Sequence, residues 1–269
     1  MTSITLRRGQ IHIAPAEDVY PTLDAGSVSL VLSDGPYGLG KGEWDKATGQ
    51  DLVEWYRPHV EAWGIACAPS ASVYLWGTAE SWATLHPLLL AHGWTFRRLI
   101  VWDKTPTASM VGWRNAKTWT DSTEVCGVYT RGGPPFAHPQ GLNNIWPLNH
   151  RNFQTERTRE AEPGRDKIDD CTWRRPIHPC QKPLLFWDRI LRASSRPGDL
   201  ILEPFGGTCR AAVAIERLSP TEARRYVCVE PEVRYVDAVL PSLRFDGDAL
   251  ERDAQPTLFA TTNLHPQDA

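Results

Sequence analysis

Asp199-Leu200-Ile201-Leu202-Glu203-Pro204-Phe205-Gly206-Gly207-Thr208 runs from an apolar stretch into a glycine turn, and Ala211-Ala212-Val213-Ala214-Ile215 follows it. A strand, a Gly-containing turn and a helix of small residues let a ligand approach the backbone closely, as in dinucleotide sites. The G-x-G-x-x-G spacing is absent, which disfavours a dinucleotide oxidoreductase. Tyr226 to Val229 reads as a second strand, closed by Glu230. A carboxylate at the tip of a neighbouring strand can accept hydrogen bonds from ribose hydroxyls, which points to an adenosine-type cofactor. A plain surface acid is the competing reading of Glu230.

Outward from this turn, short apolar and β-branched runs alternate with longer amphipathic stretches, the pattern of a mostly parallel sheet covered by helices. Strands are predicted at Ile11 to Ile13, Val28 to Leu32, Ser72 to Trp76, Arg98 to Trp102, Glu124 to Tyr129, Leu200 to Leu202 and Tyr226 to Val229. Helices are predicted at Leu52 to Ala66, Ala79 to His92, Pro183 to Ala193, Cys209 to Leu218 and Val233 to Leu240. Seven strands with intervening helices fit one doubly wound α/β domain.

The pattern breaks between Gly132 and Ile177, where Gly132-Gly133-Pro134-Pro135 leads into a run crowded with both charge signs. A long stretch without periodicity inside a compact domain points to a functional insertion. Residues from Ala249 onward are polar and aperiodic and read as a mobile tail.

A composition of 41% hydrophobic and 23% charged residues is that of a folded globular chain and excludes intrinsic disorder. The formal charge of −3 argues against indiscriminate coating of nucleic acid. Arg97, Arg98, Lys104, Arg114 and Lys117 against Asp103 nevertheless form a locally basic stretch, either a solvated face or a DNA-facing patch. The six cysteines include no C-x-x-C pair, so no structural metal is expected. With no long apolar run and no apolar core of a signal peptide in the first residues, the expected location is the cytoplasm and the nucleoid within it.

Two further motifs flank the cofactor turn. The strand from Val28 ends in Ser33-Asp34-Gly35-Pro36-Tyr37, which places Asp34 at a carboxyl strand end, where ligands sit in open α/β sheets. His178-Pro179-Cys180-Gln181-Lys182-Pro183 ends the insertion and opens a helix with Pro. Taken singly, the first is an ordinary turn and the second an ordinary helix start.

Together and in this order, the motifs resemble the amino-group DNA methyltransferases of the β class. The family runs from a catalytic D/S-x-P-Y turn through a recognition region to H-P-x-x-K-P and D-P-F-x-G. Ile100-Val101-Trp102-Asp103-Lys104 and Val229-Glu230-Pro231-Glu232 add to the likeness. The resemblance implies a Rossmann-like, seven-stranded S-adenosylmethionine-dependent methyltransferase fold with an inserted target-recognition region. Residues 1–132 and 178–248 would then be the catalytic-turn and cofactor halves of one domain, 133–177 the recognition insertion and 249–269 the tail.

By the same resemblance, Glu203, Pro204, Phe205, Gly206, Gly207 and Thr208 line S-adenosylmethionine. Glu230 holds its ribose, and Lys182 and Pro183 pack beside its methionine end. Asp34, Gly35, Pro36 and Tyr37 form the catalytic turn. Asp34 and the Gly35 carbonyl would accept the two N–H bonds of the target amine, and Tyr37 would stack on a flipped base. Trp44 could flank that base, while Arg114, Arg151, Arg157 and Arg174 could contact DNA. The implied partners are double-stranded DNA, a second copy in a homodimer and a cognate restriction enzyme. Asp at the head of the turn favours adenine N6. The alternatives are cytosine N4, an RNA or protein-amide substrate, and a DNA-binding paralogue with weakened catalysis. The sequence departs from the family at Gly35 (usually Pro), Glu203 (usually Asp) and Cys209 (usually Gly).

Overall fold

The structure is a computed structural model that describes residues 2–40, 45–104, 122–137, 143–148, 181–243 and 251–252, the last pair as backbone only. Ten strands form one sheet: β1 (Thr2–Leu6), β2 (Gly9–Ile13), β3 (Val28–Ser33), β4 (Cys67–Gly77), β5 (Thr95–Asp103), β6 (Thr123–Arg131), β7 (Ile145–Pro147), β8 (Leu200–Glu203), β9 (Arg225–Val229) and β10 (Glu251–Arg252). The α-helices among the described residues are α1 (Ala16–Val19), α2 (Gly49–Ala66), α3 (Ala79–Ala91), α4 (Leu184–Ser194), α5 (Arg210–Glu216) and α6 (Val233–Leu243).

All seven expected strands and all five expected helices are present, with ends shifted by a few residues. The three additional strands lie on the flanks of the sheet, whose order is β10-β1-β2-β9-β8-β3-β4-β6-β5-β7. The first, β1, is a hairpin partner of β2, and β7 is a three-residue edge strand inside the expected insertion. At the far edge β10 pairs with β1, so two residues of the expected tail, Glu251 and Arg252, join the sheet. Such short edge segments carry too little alternation to be recognised in sequence.

Strands β2, β9, β8, β3 and β4 run parallel, and β6 lies antiparallel between β4 and β5. The parallel strands are covered on both faces and accordingly read as continuous apolar runs. On one face, Phe186, Trp187 and Ile190 of α4, Val213 of α5 and Val236 of α6 join Leu30, Leu32, Tyr74, Trp76 and Ile201 in one core. On the other, Tyr56, Val60 and Trp63 of α2 and Leu85 and Leu89 of α3 pack with Val28, Val31, Val73 and Leu202. Val28 and Leu30, two apart, belong to opposite faces because the pairing of β3 with both neighbours shifts register between them.

This topology positions the site. Strand β8 lies between β9 and β3, with Val31 opposite Leu202 and Glu203 opposite Cys228. The turns carrying Asp34, Phe205 and Glu230 therefore emerge side by side from the same edge of three adjacent parallel strands. Among the described residues, no helix is long and apolar enough to cross a membrane.

Candidate active site

Asp34 follows the last residue of β3, and its side chain is only 14% exposed. Its Oδ1 accepts hydrogen bonds from the Tyr37 hydroxyl and, at 2.8 Å, from Lys182 Nζ. Among the described residues no hydrogen bond reaches Asp34 Oδ2, which leaves one oxygen able to accept from a ligand. Burial pushes the Asp34 carboxyl up from the ordinary carboxylate range, and Lys182 and Tyr37 draw it back only in part.

Lys182 stands just before α4 and is buried. Its ammonium also donates to Tyr37 Oη at 2.8 Å and lies 3.0 Å from Glu124 Oε2 on β6. Burial opposes its charge, but Asp34 and Glu124 outweigh that effect and hold it strongly protonated. Glu124 pairs through Oε1 with Lys104, at the end of β5, and despite burial the two lysines keep its carboxyl below the usual range. Lys104, expected in a basic patch, thus points inward, with its ammonium 4.7 Å from the centre of the Trp102 ring. Arg97 and Arg98 are exposed on β5, with Arg97 Nε donating to Thr130 Oγ1 at 2.9 Å.

Asp45, which sequence reading passed over, fixes the backbone after the catalytic turn. This residue is 1% exposed, its Oδ1 accepts from the amides of Tyr37 (2.7 Å) and Gly38 (2.8 Å), and its Oδ2 accepts from Leu39 (3.1 Å). Gly40 N–H closes the loop on the Asp45 carbonyl at 2.8 Å. Gly38 has φ +77°, a conformation that favours glycine.

The departure at Gly35 has a steric cause. A Cβ there would lie 2.5 Å from Tyr56 Oη and 2.7 Å from Phe205 Cδ2, inside van der Waals contact. Tyr56, on α2, donates to the Pro36 carbonyl at 3.4 Å, and Phe205 packs with Trp55, Tyr56 and His59. An aromatic wall has taken the space that a proline ring would fill. Tyr56 lies in the helical pattern from Leu52, but no feature of the sequence connects it to Gly35.

In the second turn, Glu230 Oε2 accepts from Gly207 N–H at 2.7 Å and Oε1 from Glu232 N–H at 2.9 Å, and burial raises its carboxyl to about 7. Gly206 N–H bonds the Val229 carbonyl at 2.7 Å, tying the turn to β9. A Cβ on Gly206 would meet Cys209 Sγ and the Val229 carbonyl, each at 3.1 Å, a tight fit that would push these neighbours back by a few tenths of an ångström. Pro204 is buried, Phe205 and Gly207 are partly exposed, and Thr208 is 6% exposed. Among the described residues, Thr208 Oγ1 and His12 Nδ1 are buried without a hydrogen-bond partner. A close-packed glycine turn, an oriented carboxylate and an unpartnered hydroxyl fit an adenosine-bearing cofactor with a polar tail.

Three other expected members of this group, Glu203, Lys182 and Pro183, have partners within the protein. Glu203 is 1% exposed, with its carboxylate accepting from Ala211 N–H at 3.1 Å and lying 3.1 Å from Cys228 Sγ, and burial raises it to about 8. Lys182 extends to the Asp34 turn, and Pro183 caps the start of α4. Cys209 adopts φ +45°, the left-handed conformation that a Gly at that position would take freely. Trp44, Arg114, Arg151, Arg157 and Arg174 lie outside the described residues, as does His178.

An open, mostly parallel sheet whose adjacent strands present their turns at one edge belongs to the α/β proteins that bind ligands outside the carboxyl ends of their strands. Residues 28–240 match the DNA methylase family of N6 and N4 methyltransferases, and the chain belongs to that family. The chain is 24% identical over 266 residues to the Type II methyltransferase M1.MboII of Moraxella bovis, covering 86% of this chain and 95% of the relative. Among solved structures it resembles PvuII DNA methyltransferase (cytosine-N4-specific), with a TM-score of 0.69 and 14% identity over 91% of this chain and 89% of that one. It also resembles the M1.HpyAVI–SAM complex, with a TM-score of 0.61 and 16% identity over 88% of this chain and 100% of that one.

Proposed function

We propose that the chain transfers a methyl group from S-adenosylmethionine to the exocyclic N6 amine of an adenine flipped out of double-stranded DNA. The observation that carries the reading is the adjacency of Asp34, with one oxygen open, to the Gly206–Gly207 turn on the neighbouring strand. Glu230 would take the ribose hydroxyls of the cofactor, with Thr208 and the backbone of Gly206 and Gly207 toward its methionine part. The cofactor supplies a methyl group already activated by its sulfonium.

The residues of the turn provide the rest. An exocyclic amine is a poor nucleophile because its lone pair is delocalised into the ring. Acceptors aimed at its two N–H bonds favour the pyramidal nitrogen that develops during transfer. Asp34 Oδ2 and the Gly35 carbonyl are assigned to these bonds, with Tyr37 as the aromatic platform for the base. Flipping costs a few kcal/mol but gives the amine access to the pocket. Residues 133–177 are assigned to sequence readout, with Arg151, Arg157 and Arg174 as base or phosphate contacts. Trp44 is assigned to the flank of the flipped base and Arg114 to DNA. Residues 1–132 and 178–248 then form the two halves of the transferase domain.

Asp at the head of the turn supports adenine over cytosine N4, the second reading. Incubation of mixed-sequence duplex DNA with labelled S-adenosylmethionine, followed by nucleoside mass analysis, tests both. N6-methyladenine that is absent with Asp34→Ala is the expected result. N4-methylcytosine would replace the adenine assignment, and no label in DNA would overturn the reading.

A further inference from the structure

Four charged side chains from four separate segments meet at the catalytic turn: Asp34 after β3, Lys182 before α4, Glu124 on β6 and Lys104 after β5. They alternate in sign, so the cluster is neutral. Glu124 uses one carboxylate oxygen for each lysine: Oε1 meets Lys104, and Oε2 stands 3.0 Å from Lys182. The Lys182 ammonium is thereby surrounded by three oxygens, at 2.8 Å from Asp34, 2.8 Å from Tyr37 and 3.0 Å from Glu124. It also sits 5.1 Å from the Tyr37 ring centre and 5.6 Å from that of Trp76.

We propose that Glu124, held by Lys104, is a positioning residue for methyl transfer: it shares the Lys182 ammonium with Asp34 and so leaves Asp34 Oδ2 free for the target amine. This inference rests on the methyltransferase reading of the site. A lysine with a single carboxylate partner would settle fully on that partner, because in a poorly solvated pocket the unshared attraction is large. Both Asp34 oxygens would then be occupied by the ammonium. A second carboxylate on the far side, itself anchored, holds the ammonium at one oxygen only. Trp102 and the hydrogen bond from Lys104 N–H to the Ser122 carbonyl, at 3.0 Å, fix the outer end of the chain.

Glu124 also acts on Asp34 through space. The titratable groups around Asp34 are Tyr37 in the turn, Lys182, Glu124 and Cys126 on β6, Tyr56 on α2, and Glu203 on β8, whose carboxyl the Asp34 charge helps to raise. Glu203 is raised to about 8 by burial, so the carboxylate charge that raises the Asp34 carboxyl is that of Glu124, while Lys182 lowers it. Removing that charge without changing the shape of the side chain must therefore move the pH at which Asp34 loses its proton downward.

The experiment is the pH profile of kcat for Glu124→Gln with wild type alongside, on duplex DNA saturated with S-adenosylmethionine. Expected are a fall in kcat of at least about tenfold, KM for DNA within about twofold of wild type, and an acid limb displaced to lower pH. Lys104→Met should lower kcat in the same direction by a smaller factor. Melting temperature and calorimetric binding of S-adenosylmethionine establish that each variant is folded. If Glu124→Gln keeps wild-type kcat, or loses kcat with its acid limb unmoved, the positioning role is overturned. If wild type itself transfers no methyl group to DNA, the underlying functional reading has failed instead.

Discussion

Lys182 and Asp34, separated by 148 positions in the chain, meet in a 2.8 Å charge-assisted hydrogen bond at the turn after β3. Lys182 is the only cation among the described residues that touches Asp34, and it neutralises Glu124 as well. Replacing it with the similarly long but neutral Met would leave two poorly solvated carboxylates facing each other. Lys182→Met should lose methyl transfer by more than about a hundredfold and cost about 3–5 kcal/mol of stability. Urea denaturation alongside the methyl-transfer assay measures both, and a variant as stable as wild type would show that water replaces the ammonium.

Gly35→Pro restores the family pattern but places atoms where Tyr56 and Phe205 already lie. Overpacking of this kind costs about 1–3 kcal/mol. The variant should melt several degrees lower and transfer methyl groups more slowly. Adding Tyr56→Phe, which removes the hydroxyl 2.5 Å from where a Cβ at position 35 would stand, should recover part of the loss. A single Gly35→Pro variant with higher activity than wild type would mean that the aromatic wall moves aside readily.

Asp45→Asn keeps the side-chain volume but replaces one acceptor oxygen with an N–H donor, leaving at least one amide among Tyr37, Gly38 and Leu39 without its partner. An unsatisfied buried donor costs about 1–3 kcal/mol. Hydrogen exchange at these three amides should accelerate while the strands keep their protection, and KM for DNA should rise. Unchanged exchange would remove Asp45 from the organisation of the turn.

Glu203 binds its proton more tightly when folded, at about 8 against an ordinary 4.5. The folded state therefore holds an extra proton between these values, and stability falls as pH rises through that window. Glu230, raised to about 7, adds to the same trend. Glu203→Gln removes the larger contribution, so the drop in melting temperature between about pH 5.5 and about pH 8.5 should shrink by several degrees. An identical pH dependence in variant and wild type would show that Glu203 is ionised in the folded protein.

The central strands and their helices were legible because burial on both faces leaves a continuous apolar run, as in Val28-Ser29-Leu30-Val31-Leu32. The positions of the turns after β3, β8 and β9 were legible because glycine, proline and a terminal carboxylate mark strand ends. Glu124 and Lys104 had no such signature. Each is one charge on or just after a strand, and their meeting with Lys182 depends on the placement of β6 and β5 beyond β4. Asp45 was obscured by its neighbour Trp44, and Tyr56 looked like any apolar helix position. Gly35 was visible as a departure from the family, but its cause lies in residues brought near only by the folded sheet.

Strand β8 lies between β9 and β3, although β3 precedes it by well over half the chain. During synthesis, β3 and β4 leave the ribosome long before the strand that will cover the other edge of β3. Until then β3 presents an unpaired apolar edge, the kind of template on which other chains can pair. Closure of the sheet and assembly of the site become one event: the same insertion that removes the exposed edge brings the Gly206 turn beside Asp34. A nascent chain that ends before β8 carries the Asp34 turn without the Gly206 turn beside it, so the two turns meet only once β8 has been made.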